Sequence, residues 1–155
     1  MLVFLDFEAS SLAKRSYPIE VGWVFEDGLG AEYLIRPAPD WTDWDEEAAA
    51  VHGIRREDLE NATPHETVAR IMVDQLSGHE LLAQRETVER ILAPVLPPGA
   101  LAEETANLLA LAEIREIAAP PAHRALADAH AERARWCAVR DAAYARVAQL
   151  TGHAH

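Results

Sequence analysis

The chain has 155 residues, 50% hydrophobic and 26% charged, with a single cysteine. That length reads as one domain spanning 1–155 with a sizeable core, and the composition excludes whole-chain disorder and a disulfide framework. With 14 basic against 26 acidic residues the formal charge is −12, so the overall field opposes coating of long duplex nucleic acid, and work on phosphodiesters would need cations at a local acidic site.

The first 40 residues are strand-like. Leu2–Phe7 is an apolar run broken only by Asp6, as expected of a strand buried on both faces. Ile19–Phe25 is a second run and Ala31–Ile35 a third, and the short connection Glu26–Gly30 predicts a hairpin with antiparallel strands. From residue 43 the pattern turns helical. Thr42 or Asp43 can cap a helix Asp45–Val51 that Gly53 ends, and Arg56–Leu59 reads as a helical turn. Thr63-Pro64-His65-Glu66 has the form of a capping box opening a helix to about Leu76. His79–Ala83 is a short strand candidate and Thr87–Val95 a helix stopped by Pro97-Pro98-Gly99. Residues 100–118 are helical by propensity, Ala119-Pro120-Pro121 breaks the chain, and a last helix runs from about Ala125 to Gln149.

Two stretches carry chemistry. Side chains at i and i+2 of a strand share a face, so Asp6 and Glu8 project together from the end of an apolar strand. Two close carboxylates repel, burial makes ionisation costlier, and a divalent cation with its preference for oxygen relieves both. The plainer alternative puts Glu8 in a solvated turn, with Asp6 serving as a cap. The second stretch, His123-Arg124-Ala125-Leu126-Ala127-Asp128, follows the Pro-Pro break and opens a helix. It offers a further carboxylate and an exposed imidazole able to take a proton from water. Read alone, the stretch favours a plain surface histidine before a helix, with Asp128 on a polar helix face.

Taken together and in order, the motifs resemble the DnaQ-like 3′–5′ exonucleases of the DEDDh branch, in the ribonuclease H-like superfamily. Asp6-x-Glu8 precedes Ala9-Ser10-Ser11-Leu12, and Ile19-Glu20-Val21-Gly22 resembles the family's second strand. Leu34-Ile35-Arg36-Pro37 resembles the end of its third strand. Val51-His52-Gly53-Ile54 with Glu57-Asp58-Leu59 resembles its His-Gly-Ile stretch, Thr63-Pro64 fits the next element, and His123-x-Ala125-x-x-Asp128 closes the set. The likeness covers residues 2–83 and 120–136. It implies an α/β domain with a mixed sheet, strands one to three antiparallel, flanked by helices, with a helical C-terminal half. It also implies metal ligation by Asp6, Glu8 and Asp128, with His123 as general base. Two Mg²⁺ or Mn²⁺ ions are the implied cofactors. Phe7 and the backbone at Ala9 would lie beside the terminal nucleotide of a single-stranded 3′ end.

The likeness breaks in the middle. The family's fourth acid is an Asp in a stretch such as His-Asn-x-x-Phe-Asp, and none occurs in Gln84–Leu92. Without gaps Glu89 falls in that place, only 34 residues before His123 (123 − 89). Either the domain is trimmed, with Glu89 as a longer substitute ligand, or a segment near 84–85 that held the acid is absent from the sequence; the abrupt break favours the second.

The remaining residues invite structural readings. His52 suits a turn or helix packing. Trp23, Trp41 and Trp44 suit the core or a packed lid, with base stacking as a further use for one of them. Trp136 suits the core, and Cys137 a small buried apolar position, with no zinc-like spacing. No apolar run reaches the ~18 residues of a membrane span, the first residues lack a basic signal-peptide region, and the lone cysteine suits a reducing cytoplasm. The expected activity is a metal-dependent 3′–5′ exonuclease on single-stranded DNA or short RNA, with a homodimer compatible. The alternatives are a non-catalytic nucleic-acid- or protein-binding member of the same fold lacking the middle acid, and a hydrolase of small phosphoesters.

Overall fold

The computed structural model describes residues 1–81, 84–118 and 121–152. The chain divides into two units: Met1–Leu81 with Pro121–Ala131, and Leu82–Pro120 with Glu132–His155. Among the described residues no helix is long and apolar enough to cross a membrane.

The first unit is built on a sheet. β1 (Leu2–Ala9), β2 (Pro18–Phe25) and β3 (Gly30–Arg36) form an antiparallel meander. The edges are β4 (Thr63–Pro64), parallel to β3, and β5 (Glu80–Leu81), parallel to β1, giving the order β4-β3-β2-β1-β5. The mixed sheet and the antiparallel first three strands are as expected. β2 is the most buried strand, with Ile19 to Val24 all hidden. Its alternation divides two faces. Val21 and Trp23 join Val3 and Ile35 in a core closed by Val68 of α2 (His65–Leu76). A second cluster joins Tyr17 and Ile19 to Ile54 and Leu59. Glu20, Gly22 and Val24 point to the other face.

The local caps differ from the sequence expectation. α1 (Glu46–His52) is capped by Asp45, whose Oδ1 accepts from Glu47 N–H at 2.9 Å, and ends at Gly53 in the left-handed region at φ 71°. Asp43 instead accepts from the hydroxyls of Ser10 and Ser11 and ties the loop after β1 to the approach to α1. The capping box at Thr63 does not form. Thr63 and Pro64 pair with Ile35 and Arg36 of β3, so the sheet edge claims their backbone and the helix starts at His65 with no side-chain cap. Arg56–Leu59 is a 3-10 turn. Leu82 and Ala83 of the expected strand and Ala119-Pro120 of the expected break lie outside the described residues.

The second unit is helical. α3 (Gln84–Leu92) and α4 (Pro98–Ala118) pack on each other. α5 (Ala125–Gly152) begins in the first unit and continues through the second. Val88, Leu92, Thr105, Leu108, Trp136, Val139 and Ala143 are buried, and Arg146 Nε meets Glu104 Oε1 at 3.0 Å. α3 starts three residues earlier than expected and α4 starts on Pro98, where a missing N–H costs the first turn nothing. Trp136 is core as expected, but Cys137 is half-buried rather than hidden.

One contact fixes how the first unit's two segments meet. The first turn of α5 rests directly on β2 at Gly22. A Cβ there would stand 2.5 Å from Ala125 C and from Leu126 Cα. At Gly30 a Cβ would meet Trp23 O at 2.5 Å and Leu126 Cδ1 at 3.2 Å. Backbone cannot yield as a flexible side-chain tip can. Gly22→Ala should therefore destabilise the protein by about 1–3 kcal/mol, the usual cost of overpacking. The measurement is the thermal midpoint, and an unchanged midpoint would contradict this seating of α5.

Candidate metal centre

The centre follows from strand register. Asp6 lies opposite Gly22 and Glu8 opposite Glu20, and directly paired residues share a sheet face. Asp6 and Glu8 thus point to the face on which α5 rests, while Phe7, paired with Val21, points to the other. The β1–β2 register shifts between Glu8 and Ala9, and such irregularities re-aim side chains at strand ends. Phe7 is 43% exposed, and Ala9 is half-buried.

From the other side, α5 supplies Asp128 in its first turn. Each of Asp6, Glu8 and Asp128 places a carboxylate oxygen within 4.8 Å of the others. Residues from opposite ends of the chain thereby converge because Gly22 lets the helix touch the strand. Asp128 also organises its own approach segment. Its Oδ1 accepts from Ala122 N–H at 2.7 Å, and its Oδ2 accepts from Arg124 N–H at 3.2 Å. Between these two amides His123 adopts φ 56°, the only left-handed non-glycine among the described residues. Histidine enters this region more readily than branched residues do, and here it turns both flanking amides toward one carboxylate. The His123 side chain is exposed, as expected. Its backbone is pinned by the hydrogen bonds of the two flanking amides.

The sequence alone places Glu20 only within a strand motif. Its side chain is 1% exposed. Arg124 Nε donates to both its oxygens at 3.2 and 3.1 Å, Arg124 Nη2 donates to Oε1 at 2.6 Å, and Ala125 N–H donates to Oε2 at 3.0 Å. The argument that singles out Asp6, an acid inside an apolar run, applies equally to Glu20 within Ile19–Phe25. That is the signal by which Glu20 can be found.

The carboxylates differ in how they are compensated. Burial pushes Glu8 up to about 7, with repulsion from Asp6, Asp128 and Glu20 adding to it and Arg124 opposing. Burial also raises Asp6; a hydrogen bond from the Phe7 backbone opposes this, Asp128 and Glu20 add to the rise, and the charge of nearby His123 favours the ionised form. Three convergent hard oxygen donors, two of them reluctant to ionise unaided, suit Mg²⁺ or Mn²⁺ rather than a softer metal. His52 is buried at the end of α1. Its Nδ1 accepts from Ile54 N–H at 3.0 Å, and burial lowers its pKa, in keeping with a packing role. Trp23 is fully buried, while Trp41 and Trp44 are half-buried, with Trp41 stacked on Tyr17 at 5.6 Å. Glu89 belongs to the second unit, in α3, where Arg85 Nη1 lies 3.4 Å from its Oε1.

No protein-family model matches the chain, and a search of curated proteins finds no match.

The raised Glu8 has a consequence for stability. Folded Glu8 keeps its proton to about pH 7, whereas the unfolded side chain releases it near 4.5. Where the folded state binds more protons, stability falls as pH rises. Without divalent cations, the contribution is present below about pH 4.5 and is lost as pH climbs through 7. Melting curves in a chelator between pH 5 and 8 should show a steeper decline for the wild type than for Glu8→Gln. Parallel curves would refute this account of Glu8.

Proposed function

We propose that the chain is a metal-dependent 3′–5′ exonuclease that hydrolyses phosphodiester bonds of single-stranded DNA or short RNA. The observation that carries this reading is the convergence of Asp6, Glu8 and Asp128 beside an exposed His123. The order of sequence motifs, with their resemblance to the DnaQ-like exonucleases of ribonuclease H-like fold, supports it. Asp6, Glu8 and Asp128 would hold the cations. A pair of Mg²⁺ or Mn²⁺ ions held there would supply charge neutralisation at the scissile phosphate, activation of water and stabilisation of the leaving 3′ oxygen. His123 takes the proton from the attacking water, a task suited to an imidazole near neutral pH. Arg124 is committed to Glu20 and keeps the segment in place. The backbone at Ala9, which follows Glu8 at the strand end, would meet the terminal nucleotide; Phe7 is exposed but lies on the other face of the sheet. The acidic balance favours short or single-stranded chains, and the single cysteine fits a reducing cytoplasm.

A second reading has its own support. Among the described residues the cluster contains three acids and no fourth, as in a member of this fold that keeps a metal site but binds nucleic acid or protein without cleaving.

Incubation of 5′-labelled single-stranded DNA and RNA with Mn²⁺ decides between them. The exonuclease should produce a ladder shortened from the 3′ end. His123→Ala should slow cleavage on the order of 10²–10⁴-fold, the usual worth of a general base, and leave the Mn²⁺-induced rise in Tm unchanged. Full activity in that variant would remove His123 from the mechanism. A wild type that gains Tm with Mn²⁺ yet cleaves nothing would establish the second reading.

Mn²⁺ should raise Tm by mass action, and Asp6→Asn should reduce that rise. Equal rises in wild type and variant would sink the shared site. Glu89→Gln tests the trimmed-domain explanation. It should weaken Mn²⁺ binding as much as Asp128→Asn if Glu89 is the fourth ligand, and a silent variant would exclude it.

A further inference from the structure

We propose that Glu20 is the positioning residue of the His123–Asp128 segment, holding the general base and the third carboxylate in place through Arg124 and the Ala125 N–H. This deepens the exonuclease reading and rests on it.

The segment is gripped twice. Asp128 takes the amides of Ala122 and Arg124. Glu20 takes the next amide, Ala125, and the guanidinium of Arg124. His123 sits between, with a fixed left-handed backbone and an exposed ring. The Asp128 bonds lie within the segment and its helix, and do not tie it to the sheet. Glu20 supplies that tie, on the strand position directly opposite Glu8. Its grip reaches the same framework that carries Asp6 and Glu8.

A purely structural role is a poor explanation of such an ion pair. Glu20 is 1% exposed and Arg124 retains 47% of its side-chain surface. An ion pair whose carboxylate is buried and whose guanidinium is half-exposed is weak evidence for a stabilising role, since apolar residues of similar size often serve as well. Asp128 holds the two amides just ahead of the helix, those of Ala122 and Arg124, and Gly22 already lets the helix approach. What the forked guanidinium adds is direction, because two donors on one planar group fix orientation where a single contact fixes only distance. A reacting group displaced by about 1 Å can lose on the order of 10²-fold in rate.

The test uses the full chain and three variants, Glu20→Gln, Arg124→Lys and the double variant. Cleavage of a 5′-labelled single-stranded oligonucleotide with Mn²⁺ is measured below each variant's unfolding transition. Glu20→Gln should lower kcat on the order of 10²-fold, with KM changed by less than about twofold, the signature of a lost transition-state arrangement rather than lost substrate binding. Arg124→Lys should lower kcat in the same direction. The double variant should be no slower than Glu20→Gln, because both changes break one interaction. A folded Glu20→Gln protein with wild-type kcat overturns the proposal while leaving the exonuclease reading intact, as do additive effects in the double variant. If Glu20→Gln does not fold, Arg124→Lys decides, and wild-type kcat in that half-exposed substitution overturns the proposal. If the wild type cleaves nothing, the exonuclease reading fails by itself. The Mn²⁺-induced Tm shift is then the readout: a smaller shift in Glu20→Gln supports the positioning of Asp128, and an equal shift, or none in the wild type, overturns it.

Discussion

The first turn of α5 lies on the bare backbone of β2, and the chemistry of the first unit depends on that contact. Asp6 and Glu8 are fixed by the sheet, and Asp128 by the helix. Nothing in the local structure of either element brings them together. Gly22 removes the steric obstacle, and Glu20, two residues earlier on the same face, supplies the attraction through Arg124 and the Ala125 amide. Glycine inside a buried strand is unfavourable on propensity alone. Its presence beside a buried glutamate is intelligible when the two are seen as one seat for a helix terminus. A helix N-terminus carries partial positive charge, so a carboxylate beneath it is favoured for the same reason that Asp128 is favoured in its first turn.

Four acids surround this terminus, and they are not equivalent. Glu20 is compensated by a forked guanidinium and a backbone amide, and Asp128 by two amides. Asp6 and Glu8 receive far less and are pushed toward their neutral forms by burial and by the other acids. An uncompensated carboxylate pair in such surroundings has two ways to reduce its free energy, a shared proton or a cation. The chain's formal charge of −12 sharpens this, since no broad basic field is available to neutralise the site from a distance. The compensated pair therefore builds the frame, and the uncompensated pair marks where a cation would be held.

Much of this is legible in the residues themselves. Three apolar runs with a Gly-containing connection encode the antiparallel meander, and an acid inside an apolar run marks Asp6 as needing a partner. The pairing of Asp6 and Glu8 on one face follows from the period of two. What is not legible depends on tertiary choice. Thr63 has the pattern of a helix cap, but its backbone is claimed by β3, and Asp45 caps the helix for which Thr42 and Asp43 are also eligible. Glu20 carries the same signal as Asp6, yet no sequence pattern distinguishes an acid that meets a guanidinium 104 residues away from one that joins a carboxylate cluster. The place of Glu89 depends on long-range contacts that no local spacing encodes.

The two grips on the 122–125 backbone also bear on how an exposed histidine can serve as a base. A side chain that must reach a substrate-bound water, and then release its proton to solvent, benefits from exposure. A group whose rate depends on distance benefits from restraint. At His123 these demands fall on different atoms. The backbone is set by hydrogen bonds to Asp128 on one side and, through Arg124 and Ala125, to Glu20 on the other, whereas the side chain is exposed to solvent. Left-handed backbone at a non-glycine residue is uncommon and persists where the surrounding structure over-determines it. The hydrogen bonds of Ala122, Arg124 and Ala125 provide that determination, so the unusual torsion at His123 is a consequence of how the third carboxylate is held.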